Sequence, residues 1–255
     1  MLKIRTWLKS FFNRLKNWMI DSSVEDKDLP FTGDKFLIGV TIAAGGFLGI
    51  PVILSIIMLF IDPNVFTTPL YEFYIELFFV VLVIGFMNTK YIKFGKVFSK
   101  KYLKMAFHYA LYAFIFAQVL IFVYVLIGYN YQAHGAASES YIFNQYRWAY
   151  FLIWVFFAPI VEEFAFRYMM FKHLWSKHFW TGLILNSTIF AFAHFSIQFV
   201  TASLWPSIIL LPLYLFAGFC LSLVYYKTKN LLASMITHGI YNLLVFIITY
   251  MYMMN

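Results

Sequence analysis

Charge inside an apolar run is the feature of this chain that most suggests chemistry. One such run reads Phe157-Ala158-Pro159-Ile160-Val161-Glu162-Glu163-Phe164-Ala165-Phe166-Arg167. Each charge near the centre of a membrane-spanning helix costs about 2.5–3.5 kcal/mol on insertion scales, so the three here mark a working site or a paired structural one. Glu163 and Arg167 stand one helical turn apart, acid before base, the favoured order for an ion pair on one face. Glu162 is rotated by about 100° from Glu163 and can point into a different space. We read Glu163–Arg167 as scaffold and Glu162 as the reactive carboxylate; the alternative is one structural network of all three. Pro159 removes a backbone donor and bends the helix just before the acids.

Two further apolar runs carry polar groups. Phe190-Ala191-Phe192-Ala193-His194 places a histidine that, taken alone, is better explained by packing. His238-Gly239-Ile240-Tyr241-Asn242 places a histidine and an amide one turn apart, on one helix face. Two neutral donors side by side in a low-dielectric site suit an oxyanion hole. The alternative is an interhelical hydrogen-bond pair, typically worth under about 2 kcal/mol.

The elements that must bring these residues together are membrane spans. Of the 255 residues, 63% are hydrophobic and only 12% charged. Soluble domains carry about a quarter charged residues. The single cysteine, Cys220, rules out a disulfide framework and a cysteine-ligated zinc site. Apolar segments at about 36–60, 69–88, 105–128, 147–171, 179–199, 206–226 and 231–252 are each of the length that crosses a bilayer, about 20 residues. The expected fold is therefore all-α, a polytopic transmembrane helical bundle of about seven spans.

Ahead of the spans, with no cleavable signal peptide expected, residues 2–19 place Leu2, Ile4, Trp7, Leu8, Phe11, Phe12, Leu15, Trp18 and Met19 at three- and four-residue steps. Lys3, Arg5, Lys9, Arg14 and Lys16 fall mostly between them. That pattern predicts an N-terminal amphipathic interfacial helix lying on anionic lipid. The organisation expected is an interfacial helix and linker over 1–30, N-terminal spans over 31–140 and a catalytic core over 141–255.

The net charge of +8 gathers at the N-terminus and in alternate loops. Lys27 and Lys35 precede the first span. Lys90, Lys93, Lys96, Lys100, Lys101 and Lys104 follow the second, Lys172 and Lys177 the fourth, and Lys227 and Lys229 the sixth. Loops 61–68, 129–146 and 200–205 read as the opposite, unbiased side, which predicts a cytoplasmic N-terminus. No soluble domain presents a basic face, so no nucleic-acid partner is expected.

Three spans thus supply one free acid, two histidines and one amide. Counted from the expected cytoplasmic ends, Glu162 lies about 15 Å deep, His238 about 12 Å and His194 about 22 Å. Tilt, or a different start of the fifth span, has to close that gap.

At this point the residues resemble a known family. Glu162-Glu163-x-x-x-Arg167, Phe190-x-x-x-His194 and His238-x-x-x-Asn242 look like the three signature motifs of the CPBP family, the CAAX proteases and bacteriocin-processing enzymes also called Abi, related to type II CAAX prenyl endopeptidases. The resemblance covers about residues 145–250. It implies an intramembrane, glutamate-dependent peptidase in which Glu162 and His194 position and deprotonate the attacking water. By the same resemblance His238 and Asn242 stabilise the oxyanion, and Glu163, Arg167 and Phe190 support the site. No cofactor is favoured; zinc held by Glu162, His194 and His238 is the alternative, since the family has also been called metalloprotease. Other intramembrane chemistries fit poorly: the chain has no H-E-x-x-H pair, no G-x-S-x-G elbow and no paired intramembrane aspartates.

The expected function is cleavage of a membrane-associated peptide, in peptide pheromone or bacteriocin maturation or in self-immunity, at a bacterial plasma membrane. A CAAX-type prenyl-protein endopeptidase is the alternative within enzymes. A non-proteolytic regulator that binds a partner membrane protein, and a transporter, are the alternatives outside proteolysis.

Overall fold

The computed structural model describes residues 73, 76–81, 83–84, 99–128, 136–175, 178–201 and 204–253. The expected interfacial helix and the first expected span lie outside these residues, as does much of the second. Among the described residues every element is helical. Helices Lys100–Leu126, Phe143–Trp175, Ile208–Thr228 and Leu231–Tyr252 are long and apolar enough to cross a membrane, and a shorter apolar helix covers Phe179–Phe195. The protein is a multi-pass membrane protein.

Helix α1 (Lys100–Leu126) starts at Ser99, whose hydroxyl accepts from Lys101 N–H at 3.2 Å. Its buried residues are Ala106, Tyr109, Ala110, Ala113 and Ala117. A stripe of small side chains lets helix backbones approach closely in lipid, where packing replaces hydrophobic burial as the driving force. The opposite face exposes Phe107, Ile115, Val119 and Phe122, as a lipid-facing surface should. Tyr124 donates to the Ile209 carbonyl at 2.8 Å, tying α1 to the helix Leu204–Thr228.

The chain then runs through α2 (Ala136–Leu152), a π-helical turn (Ile153–Phe157), α3 (Ala158–Glu163), a second π-helical stretch (Phe164–Phe171) and α4 (Lys172–Trp175). Beyond a kink at Tyr146 (φ −118°, ψ 23°) these pieces form one continuous rod that runs to Trp175 rather than ending at 171. The π turns explain the continuity, because wider turns let the helix pass Pro159 without breaking. Wide turns of this kind are frequent at functional sites.

Helices α5 (Phe179–Thr201) and α6 (Leu204–Thr228) pack closely. A Cβ at Gly218 would stand 3.1 Å from Phe190 and 3.2 Å from Ser187, so glycine sets their spacing. Asn186 Nδ2 donates to Ser222 Oγ at 2.9 Å across the same seam. The turn into α7 (Leu231–Met253) puts Lys229 at φ 50°, and Asn230 caps the helix, its Oδ1 accepting from Leu232 N–H at 2.9 Å. Lys229 Nζ lies 3.8 Å from the ring centroids of both Trp175 and Tyr226, which joins this turn to the end of α4.

Candidate active site

The acids stand at the end of α3, where the rod crosses α7. Glu162, Glu163, Arg167 and His238 are all buried, Glu163 and Arg167 completely. The rotation between the two carboxylates sends them to different partners.

Glu163 is enclosed by donors. Its Oε1 lies 2.9 Å from His238 Nδ1, its Oε2 accepts from Ser234 Oγ, and the same oxygen is 3.2 Å from Arg167 Nε. Ser234 and His238 are one turn apart on α7, so one helix face supplies both. Arg167 also donates through Nη2 to the Gly218 carbonyl at 3.2 Å and lies 4.4 Å from the Phe190 ring centroid. Removing a charge from water is tolerated when paired charge and hydrogen bonds replace the hydration, and Glu163–Arg167 meets that condition.

Glu162 is the contrast. Its Oε2 is buried without a hydrogen-bond partner among the described residues. Facing it are His194 Nε2 at 3.6 Å and His238 Nε2 at 3.9 Å. The far nitrogens are spoken for: His194 Nδ1 lies 2.9 Å from the Phe190 carbonyl and His238 Nδ1 faces Glu163. A carbonyl can only accept, so neutral His194 carries its proton on Nδ1 and turns the lone pair of Nε2 toward Glu162. A carboxylate at Glu163 accepts from His238 Nδ1–H, which leaves Nε2 a lone pair in the neutral ring and a second donor in the imidazolium.

The structure therefore brings Glu162, His194 and His238 together. Running the rod on to Trp175 removes most of the counted difference between Glu162, 13 residues from that end, and His194, 15 residues from Phe179; His238, seven residues into α7, stays shallower by this count although it meets them in space. Phe190 sits between the parts, its ring 4.5 Å from His194 and 6.0 Å from His238 by centroid. Asn242 Nδ2 donates to the Trp154 carbonyl at 2.7 Å, so one of its two amide hydrogens is committed to backbone.

Several neighbours were not singled out in the sequence. Ser234 was detectable as a hydroxyl one turn before His238. Tyr214 stacks on His194 with centroids 4.5 Å apart and planes at 23°; nothing in an apolar run distinguishes it from a packing tyrosine. Glu76 lies within electrostatic reach of Glu162, and an acid in the second expected span, one turn after Glu72, was a visible signal. No group of three His, Cys, Asp or Glu side chains among the described residues has an arrangement fit to hold a metal ion.

Comparison with known proteins adds one finding. Residues 144–244 match the family model described as Type II CAAX prenyl endopeptidase Rce1-like. No curated protein and no solved structure matches the chain. The matched segment holds every residue of the candidate site from Trp154 to Asn242, and the family implies an intramembrane protease acting on a membrane-associated substrate. Residues 144–244 thus carry the Rce1-like signature of the CAAX proteases, the family that the three motifs resemble.

Proposed function

We propose that this protein is an intramembrane endopeptidase in which Glu162 activates water for attack on a peptide bond. The observation that carries the reading is the convergence of His194 Nε2 and His238 Nε2 on Glu162 Oε2, at 3.6 and 3.9 Å. Polar groups at separations beyond about 3.5 Å are commonly joined through a water. A water held there would meet one carboxylate and one imidazole lone pair, each able to take its proton.

Glu162 and His194 act as the base pair for this water. His238, donating from Nε2–H while its Nδ1–H stays on Glu163, and Asn242, oriented by Trp154, stabilise the oxyanion of the tetrahedral intermediate. Glu163, Arg167 and Phe190 hold the frame. The mechanism we favour needs no metal; zinc on Glu162, His194 and His238 is the alternative.

The substrate we infer is a peptide or protein tail lying in the membrane. Two candidates differ in chemistry: a prenylated C-terminus, as the family description suggests, and an unlipidated apolar peptide such as a pheromone or bacteriocin precursor. We place the N-terminus in the cytoplasm of a bacterial plasma membrane, resting on anionic lipid, with residues 141–255 as the catalytic core. The test is Glu162→Gln in purified protein reconstituted in liposomes, assayed with a quenched fluorescent farnesylated peptide and with its unlipidated counterpart. Cleavage that survives Glu162→Gln rules the mechanism out, and the preferred peptide decides the substrate class.

A further inference from the structure

Pro159 has a consequence beyond bending the rod. In the turn before it, Ala158 N–H bonds the Ile153 carbonyl, five residues back, in π register. The carbonyl of Trp154 has two ordinary partners in such a helix. Its α partner is Ala158, whose N–H is spent on Ile153. Its π partner is Pro159, which has no N–H. An orphaned carbonyl within a bilayer must be satisfied from outside its helix. Asn242 of α7 does this, donating from Nδ2 at 2.7 Å. The close crossing that allows it is set by Gly239, where a Cβ would stand 2.8 Å from the Val155 carbonyl.

We propose that Pro159 is a positioning residue for Asn242. By withholding a hydrogen-bond donor, it leaves the Trp154 carbonyl to grip one amide hydrogen of Asn242, fixing the carboxamide plane and leaving the second hydrogen for the reacting centre. A carbonyl acceptor also settles which end of the amide faces the rod, since only the NH2 end can bond to it. This inference rests on the proposed role of Asn242 at the oxyanion, and it explains why a helix-breaking residue lies three positions before the reactive acid.

The test is Pro159→Ala in the full chain. Alanine supplies an N–H that competes with Asn242 for the Trp154 carbonyl while favouring the helix. A misplaced reacting group costs about 10- to 100-fold. The expected result is a loss of that size in kcat on the farnesylated or unlipidated probe, little change in KM, and an unfolding temperature equal to or above that of the unsubstituted protein. Pro159→Leu supplies the same N–H with a different side chain and should act alike, covering the case in which one variant folds poorly. Asn242→Ala should lose activity alone but add nothing to Pro159→Ala.

A second measurement does not depend on turnover. In protein labelled with 15N-asparagine, the side-chain amide of Asn242, identified by its disappearance in Asn242→Asp, should shift in Pro159→Ala. If the unsubstituted protein cleaves neither probe, that shift upholds the clamp and defeats only the endopeptidase reading. An unmoved Asn242 amide in Pro159→Ala, or full activity in both proline variants, overturns the proposal.

Discussion

His238 Nδ1 lies 2.9 Å from Glu163 Oε1, and this contact makes the two adjacent acids unequal. Glu163 spends its oxygens on Ser234, Arg167 and His238, whereas Glu162 Oε2 has no hydrogen-bond partner among the described residues. One carboxylate orients an imidazole and the next faces that imidazole's other nitrogen.

Loss of the base should therefore separate from loss of the fold. Glu162→Gln is expected to lower kcat by about 10²- to 10⁴-fold, the range that general-base catalysis contributes. Its unfolding temperature should match that of the unsubstituted protein, because Glu162 makes no hydrogen bond at Oε2 that the amide would lose. Turnover and thermal unfolding in the same liposome preparation check both halves.

Breaking the scaffold should do the reverse. Arg167→Met leaves Glu163 buried beside an apolar side chain, and removing one partner of a buried ion pair costs about 3–5 kcal/mol. The expected outcome is a clear fall in stability, accompanied by lost activity. Chemical denaturation in detergent micelles measures it, and an unchanged midpoint would show that the pair holds nothing in place.

Ser234→Ala is a milder version on the same carboxylate. A hydrogen bond to a charged group is worth about 1.5–3 kcal/mol. Glu163 keeps Arg167 and His238, so the variant should fold, with stability lowered by an amount in that range and kcat reduced several-fold through a less constrained His238. Ser234→Thr, which restores a hydroxyl, should recover part of both.

Treatment with a chelator followed by assay in metal-free buffer should leave activity intact. Activity abolished by the chelator and restored by zinc would instead place an ion among Glu162, His194 and His238.

Much of this site could be read from residue types and spacing. The i,i+4 steps Glu163–Arg167 and His238–Asn242 encode shared helix faces, and charge in an apolar run is costly enough to stand out. Depth was harder. A count at a fixed rise from an assumed span end put His194 well below Glu162, because the rod was expected to stop at 171 rather than run to Trp175. The π turns were not legible either, since no residue type or spacing within Ile153–Phe157 or Phe164–Phe171 marks a wider turn. Tyr214 and Ser222 look like ordinary span residues until α5 and α6 are brought together. The expectations for residues 1–72 lie outside the described structure.

Gly239 also governs how the site can admit a substrate. With 2.8 Å between its Cβ direction and the Val155 carbonyl, α7 and the rod already touch backbone to backbone. That seam acts as a weld and cannot serve as a doorway. Of the two histidines facing Glu162, the one away from this seam is the more open: His194 keeps 18% of its side chain exposed against 5% for His238. Tyr214, stacked on His194 with centroids 4.5 Å apart, lies on that more open side, so the weld at Gly239 and the exposed edge of His194 give the site one closed face and one open one.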